Sequence, residues 1–241
     1  MRTSRFAGWS AIVFTIAAVL ALVMEATAVA SGLDPDDAPG TLRFVAEHPL
    51  LWAVAAPAYL VMGLALIAAV IGTTDVLAGN DREVPSVPSV PVRAVQAVGI
   101  MAAALFVIAG VFRAGGGPLQ YMAEIDRAAG IAATAAVIVL TTHGGIQGGV
   151  LLLCVWIVAV SIAGLSRRTL PVWLCVLGLV PAVRIALVVL GPLGFALDAL
   201  WFVAIAVIPW ALLWPGTLGI VLLVRFRAGR AGRAGAAASV A

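Results

Sequence analysis

The stretch MAEIDRAAGIAATAAVIVLTT, residues 122–142, decides the topology of this chain. Its middle, Ala128 to Thr142, supplies about fifteen apolar or small residues. A full crossing takes about 20. If the segment crosses the bilayer, every later helix reverses its orientation. Arginine placement settles the matter, because cytoplasmic loops carry the positive excess. Without a crossing, Arg2, Arg5, Arg82, Arg93, Arg167, Arg168, Arg225, Arg227, Arg230 and Arg233 share one side. Only Arg43, Arg113 and Arg127 lie opposite, and Arg184 falls inside a span. With a crossing, the Arg167–Arg168 pair and the tail RFRAGRAGRAG move away from the other arginines. The reading is therefore six spans with both termini cytoplasmic. Residues 122–142 form a short extracytoplasmic helix, interfacial or re-entrant.

Working outward, the spans fall at about 7–30, 50–71, 94–112, 146–165, 170–190 and 195–224, followed by an Arg-rich tail over 225–241. Of 241 residues, 63% are hydrophobic and only 10% charged. A soluble domain carries about 25% charged residues, so this chain has too little polar surface to coat a globule. The fold class is an all-α polytopic membrane helix bundle, and the whole chain is one membrane domain. The first span follows Arg2 and Arg5 and contains Ala28-Val29-Ala30, which also suits a signal peptide. Its length and the spans that follow favour a retained helix. SGLDPDDAPGTLRFVAEHP, residues 31–49, reads as a polar loop from its Gly, Pro and Asp. Pro85, Pro88 and Pro91 recur at three-residue spacing, the pattern of an extended polyproline connector. The turn GPLG at 191–194 makes the last two spans antiparallel neighbours. The final span contains Pro209 and Pro215 and is longer than a hydrocarbon core needs, so it tilts, kinks or projects.

Several chemistries have no signature here. The basic residues are all arginine, which excludes lysine Schiff-base chemistry. Cys154 and Cys175 form neither a CxxC pair nor a zinc spacing, and they read as buried structural thiols. HExxH, GxSxG and the Walker lysine are absent, so the sequence implies no metal and no cofactor. Arg167, Arg168, Arg225, Arg227, Arg230 and Arg233 suit anionic lipid headgroups on the cytoplasmic side, at about 1 kcal/mol for each arginine near the surface. Nucleic acid is not expected to be a partner.

The polar residues within the spans gather at one depth. Glu25 precedes the outer end of the first span, and Arg113 closes the third. His143 and Gln147 open the fourth; Arg184 and Asp198 lie near the outer ends of the fifth and sixth. Charges at membrane depth pair or face a wet cavity. Two pairs are therefore expected, Arg184 with Asp198 and Glu25 with Arg113, and the same six residues are the candidates for binding a hydrophobic or anionic small molecule. His143, beside glycines and far from His48, reads as a loop histidine.

The turn between the fourth and fifth spans carries Gly164, Leu165, Arg167, Leu170, Pro171, Trp173 and Leu174. In this pattern the chain resembles actinobacterial multipass integral membrane proteins of unassigned function. The resemblance implies a topology and no activity. Two functions compete. One is a non-enzymatic accessory, binding or carrier protein, with a membrane protein as an optional partner. The other is an intramembrane enzyme acting on a hydrophobic substrate, similar to membrane terpene cyclases, with Glu25 or Asp198 as a buried acid.

Overall fold

A computed structural model describes residues 2–34, 36–78, 90–190 and 198–238. Among the described residues all regular structure is helical. The helices are α1 (Arg2–Ala30), α2 (Ala38–Glu47), α3 (Pro49–Ala78), α4 (Val90–Arg113), α5 (Gly116–Ile125) and α6 (Arg127–Ile138). A π-helical stretch (Val139–Gln147) leads into α7 (Gly148–Arg167), followed by α8 (Val172–Leu177), α9 (Ala182–Leu190) and α10 (Asp198–Ala238). Six segments are long and apolar enough to cross a membrane: Arg5–Ala30, Pro49–Ala78, Pro91–Arg113, Arg127–Arg167, Val172–Leu190 and Ile205–Arg225. Large apolar side chains such as Phe6, Ile16, Leu64, Met101, Ile162 and Ile220 are exposed, as expected where lipid is the solvent. This is the architecture of a multipass membrane protein.

Two segments differ from the sequence reading. The polar loop over 31–49 contains helix α2. Pro39 occupies its first turn, where the missing N–H costs nothing, and Thr41, Phe44 and Val45 form a buried stripe at helical spacing. The segment 122–142 is not one separate helix. The chain breaks at Asp126, whose carboxylate accepts from the N–H groups of Ala128 (2.9 Å) and Ala129 (3.3 Å) and starts a new helix. From Arg127 the helix then runs without a break to Arg167. The segment thus extends the fourth span, and the number of spans stays at six. The proline connector is outside the described residues up to residue 89, as is the GPLG turn.

By packing, the chain divides into two compact units. One comprises Met1–Thr15, Ala65–Ile100 and Leu153–Ala241. Within it the indoles of Trp156 and Trp214 meet edge to face at 6.2 Å, and Trp214 Nε1 donates to Leu174 O at 3.1 Å. Gly8 and Gly219 let α1 and α10 touch backbone to backbone, since a Cβ on Gly219 would lie 2.5 Å from Gly8 O. The α7 helix stops in a Schellman turn: Arg168 takes a left-handed φ of 53°, Thr169 N–H reaches Gly164 O, and Arg168 N–H reaches Leu165 O. Arg167 Nη1 donates to Leu77 O at 2.7 Å, and Arg225 donates to Thr169 O.

The other unit comprises Ile16–Leu64 and Met101–Leu152. Here α1 also ends in a Schellman turn, with Gly32 at φ 99° and Leu33 N–H bonded to Ala28 O. The hydrophobic contact that accompanies this motif is built into a cluster: Ala28 and Leu33 are buried with Phe44, Val45 and Trp52. Helices α2, α5 and α6 pack on one another. Gln120 Nε2 fastens α5 to α2 by donating to Val45 O at 2.6 Å.

Candidate functional site

The second unit holds a polar cluster at the C-terminal ends of α1 and α4. Glu25 lies on the same face of α1 as the buried Ala21 and Ala28, so it points inward among small residues. Arg113 is the last residue of α4. Tyr59 and Trp52 stand seven residues apart on α3, two turns along one face.

These four side chains meet. Arg113 Nη2 donates to Glu25 Oε1 in a close ion pair, and Tyr59 OH donates to the same oxygen at 3.0 Å. The guanidinium carbon sits 4.0 Å from the centroid of the Trp52 ring, a cation–π contact. Arg113 is only 3% exposed, whereas the Glu25 side chain keeps 24% of its surface. Among the described residues, Arg113 Nε and Trp52 Nε1 are buried without a hydrogen-bond partner. Gly116 at the start of α5 lies against the indole; a Cβ there would come within 2.9 Å of Trp52 Cδ1. The cluster is thus a mostly buried ion pair joining α1, α3 and α4. Its carboxylate oxygen Oε1 is engaged by both Arg113 and Tyr59.

The expected pair of Glu25 with Arg113 is therefore present. His143 lies instead on the π-helical stretch, with Nε2 3.7 Å from Asp36 Oδ1, and both side chains are exposed. Gln147 ends that stretch and is also exposed. The stretch packs through Gly145, where a Cβ would meet Ala109 Cβ at 2.8 Å and Leu105 O at 3.1 Å. Arg184 is buried on α9, in the first unit. Asp198 opens α10; its side chain, and with it the expected pairing to Arg184, is outside the described residues, as are the side chains of Arg227, Arg230 and Arg233. Among the described residues, no three His, Cys, Asp or Glu side chains gather as metal ligands would.

Sequence reasoning missed Tyr59 and Trp52. A phenol within an apolar span needs an acceptor, and that requirement was the available signal for Tyr59. It also missed a cleft of about 670 Å³ between α2, α5 and α6, lined by Arg43, Gln120, Glu124 and Arg127 beside Leu42 and Ile131. None of Arg43, Glu124 and Arg127 forms an ion pair among the described residues.

A family model described as a domain of unknown function, DUF4386, matches residues 6–225, so the chain belongs to that family. No curated protein and no solved structure matches it.

Proposed function

We propose that this protein is a non-enzymatic binding protein of the cell membrane, with both termini cytoplasmic and its binding groups at the outer ends of the spans. The observation that carries this reading is the engaged state of Glu25. One oxygen takes both Arg113 and Tyr59, whereas protonating an alkene or epoxide needs an unpaired acid. The inward orientation of the basic turn and tail follows from the arginine asymmetry. Arg167, Arg168, Arg225, Arg227, Arg230 and Arg233 then face anionic headgroups of the inner leaflet. An all-arginine basic set in Ala- and Val-rich spans fits a GC-rich, actinobacterial source.

The test is a native mass spectrum of the full chain gently extracted from its host, beside Glu25→Gln and Asp198→Asn. A small molecule or lipid retained by the wild type, unchanged in mass on incubation, is the expected result. A wild-type protein that carries no ligand overturns the binding reading and directs the search to partner proteins. A retained compound whose mass changes, and does so only while Asp198 is intact, would establish the intramembrane enzyme instead.

A further inference from the structure

The cleft between α2, α5 and α6 holds three charged side chains, Arg43, Glu124 and Arg127, and none of them is neutralised by another among the described residues. Two arginines and a glutamate thus line one cleft of about 670 Å³ without pairing with one another. Left unpaired, they present positive and negative groups to one occupant. Arginine is the side chain best shaped to hold phosphate oxygens, through its planar fork of N–H donors. A carboxylate in the same cleft repels a second anion and accepts from an ammonium group. Gln120 has its amide nitrogen committed to Val45 O, which leaves its amide oxygen as a further acceptor.

The lining is also part apolar, with Leu42 and Ile131 beside the charges. On α5 itself Tyr121, Met122 and Ile125 are exposed. A short helix with Tyr, Met and Ile on its open face belongs at a membrane–water boundary rather than in bulk water. This places the cleft at headgroup level.

We infer that the cleft binds a zwitterionic phosphate–ammonium headgroup, with Arg43 and Arg127 on the phosphate and Glu124 on the ammonium. The inference rests on the binding reading above and names its ligand chemistry. A phospholipid of the outer leaflet and a soluble phosphoethanolamine ester share that chemistry.

The experiment uses the full chain, stripped of lipid in detergent and titrated with phosphatidylethanolamine, phosphatidylglycerol or glycerophosphoethanolamine, with occupancy read by native mass spectrometry. Phosphatidylethanolamine binds more tightly than phosphatidylglycerol in the wild type, and Glu124→Gln abolishes that preference. Arg43→Gln with Arg127→Gln weakens both lipids by about tenfold or more, the usual loss for charge-assisted hydrogen bonds. Glycerophosphoethanolamine binding as well as the lipid identifies a soluble ligand; its failure to bind identifies a lipid. Both results support the headgroup assignment. Circular dichroism melts confirm that the variants remain folded, since all three side chains are exposed. A folded double-arginine variant with wild-type occupancy overturns the inference, as does a preference for phosphatidylglycerol that Glu124→Gln leaves unchanged. If such a result comes with a host ligand still retained by the wild type, only the cleft assignment falls. Loss of the host ligand itself is what refutes the binding reading.

Discussion

Glu25→Gln isolates the charge of the α1–α4 lock. The amide is isosteric and keeps an acceptor for Tyr59 OH, so the lost element is the negative charge facing Arg113. Arg113 is 3% exposed and has little solvent to replace a lost counter-charge. Leaving one member of a buried ion pair uncompensated costs about 3–5 kcal/mol. The 24% exposure of Glu25 admits some headgroup or water to the site, which puts the expected loss near the lower end, about 3 kcal/mol. Arg113→Met leaves the carboxylate with Tyr59 alone, at a cost of about 2–3 kcal/mol. The double variant removes both charges and costs about 2 kcal/mol, well below the sum, because neither charge is left buried without its partner. Reversible unfolding in mixed micelles of increasing denaturing detergent yields all three values. The coupling is the single-variant costs summed, minus the cost of the double. A coupling under about 0.5 kcal/mol would refute the lock, because independent sites add to within that margin.

Further outcomes follow, all but the last of them from the local structure. Gly63→Ala places a methyl 2.7 Å from Ala103 O, a backbone atom that cannot yield, and costs about 1–3 kcal/mol; Gly117→Ala meets nothing within 4 Å and leaves stability unchanged or raised by about 0.5 kcal/mol. The same unfolding assay separates the two. Arg168→Gly relieves a left-handed residue at φ 53° and raises stability by about 1 kcal/mol. His143→Ala removes an exposed pair at 3.7 Å and changes stability by less than about 1 kcal/mol. Asp198→Ala is expected to destabilise more than Asp198→Ala combined with Arg184→Leu, and a cycle without coupling removes the expected Arg184–Asp198 pair.

What was legible in the sequence was whatever depends on composition and depth. Long apolar runs in a chain with 10% charged residues show the spans, and the Glu25–Arg113 pair follows from both groups lying toward the C-terminal ends of the first and third spans. The unread parts depend on local competition between signals. In residues 31–49 the Gly, Pro and Asp that suggested a loop are the left-handed Gly32 that closes α1, the first-turn Pro39 and the N-cap Asp37 of α2, and Asp36 N–H donates to Asp34 Oδ1 at 2.9 Å. In residues 122–142, apolar content gave a helix without its ends, because Asp126 is a cap only if the chain turns there. Tyr59 and Trp52 were passed over since aromatic residues in a span are ordinary packing; only the approach of Arg113 gives them a polar role. The cleft brings together residues more than seventy positions apart, Arg43 with Gln120, Glu124 and Arg127, and no local pattern announces that.

The acid in α1 can now be explained from the electrostatics of its surroundings. Glu25 sits near the C-terminal end of α1, and Arg113 at that of α4. Each helix C-terminus carries about half a negative charge. A carboxylate near such an end is disfavoured, whereas a guanidinium there is welcome. Arg113 therefore serves two negative elements at once, the end of its own helix and Glu25, while its face lies on the negative π-cloud of Trp52. Lysine could not do the same. Its ammonium is a compact point charge, whereas the planar guanidinium pairs through its edge and stacks through its face simultaneously. The all-arginine composition of the chain is thus compatible with a lock that needs that geometry. The acid is kept because, without it, the buried Arg113 would have the partial charge of its helix end and a ring as its partners, and no full counter-charge.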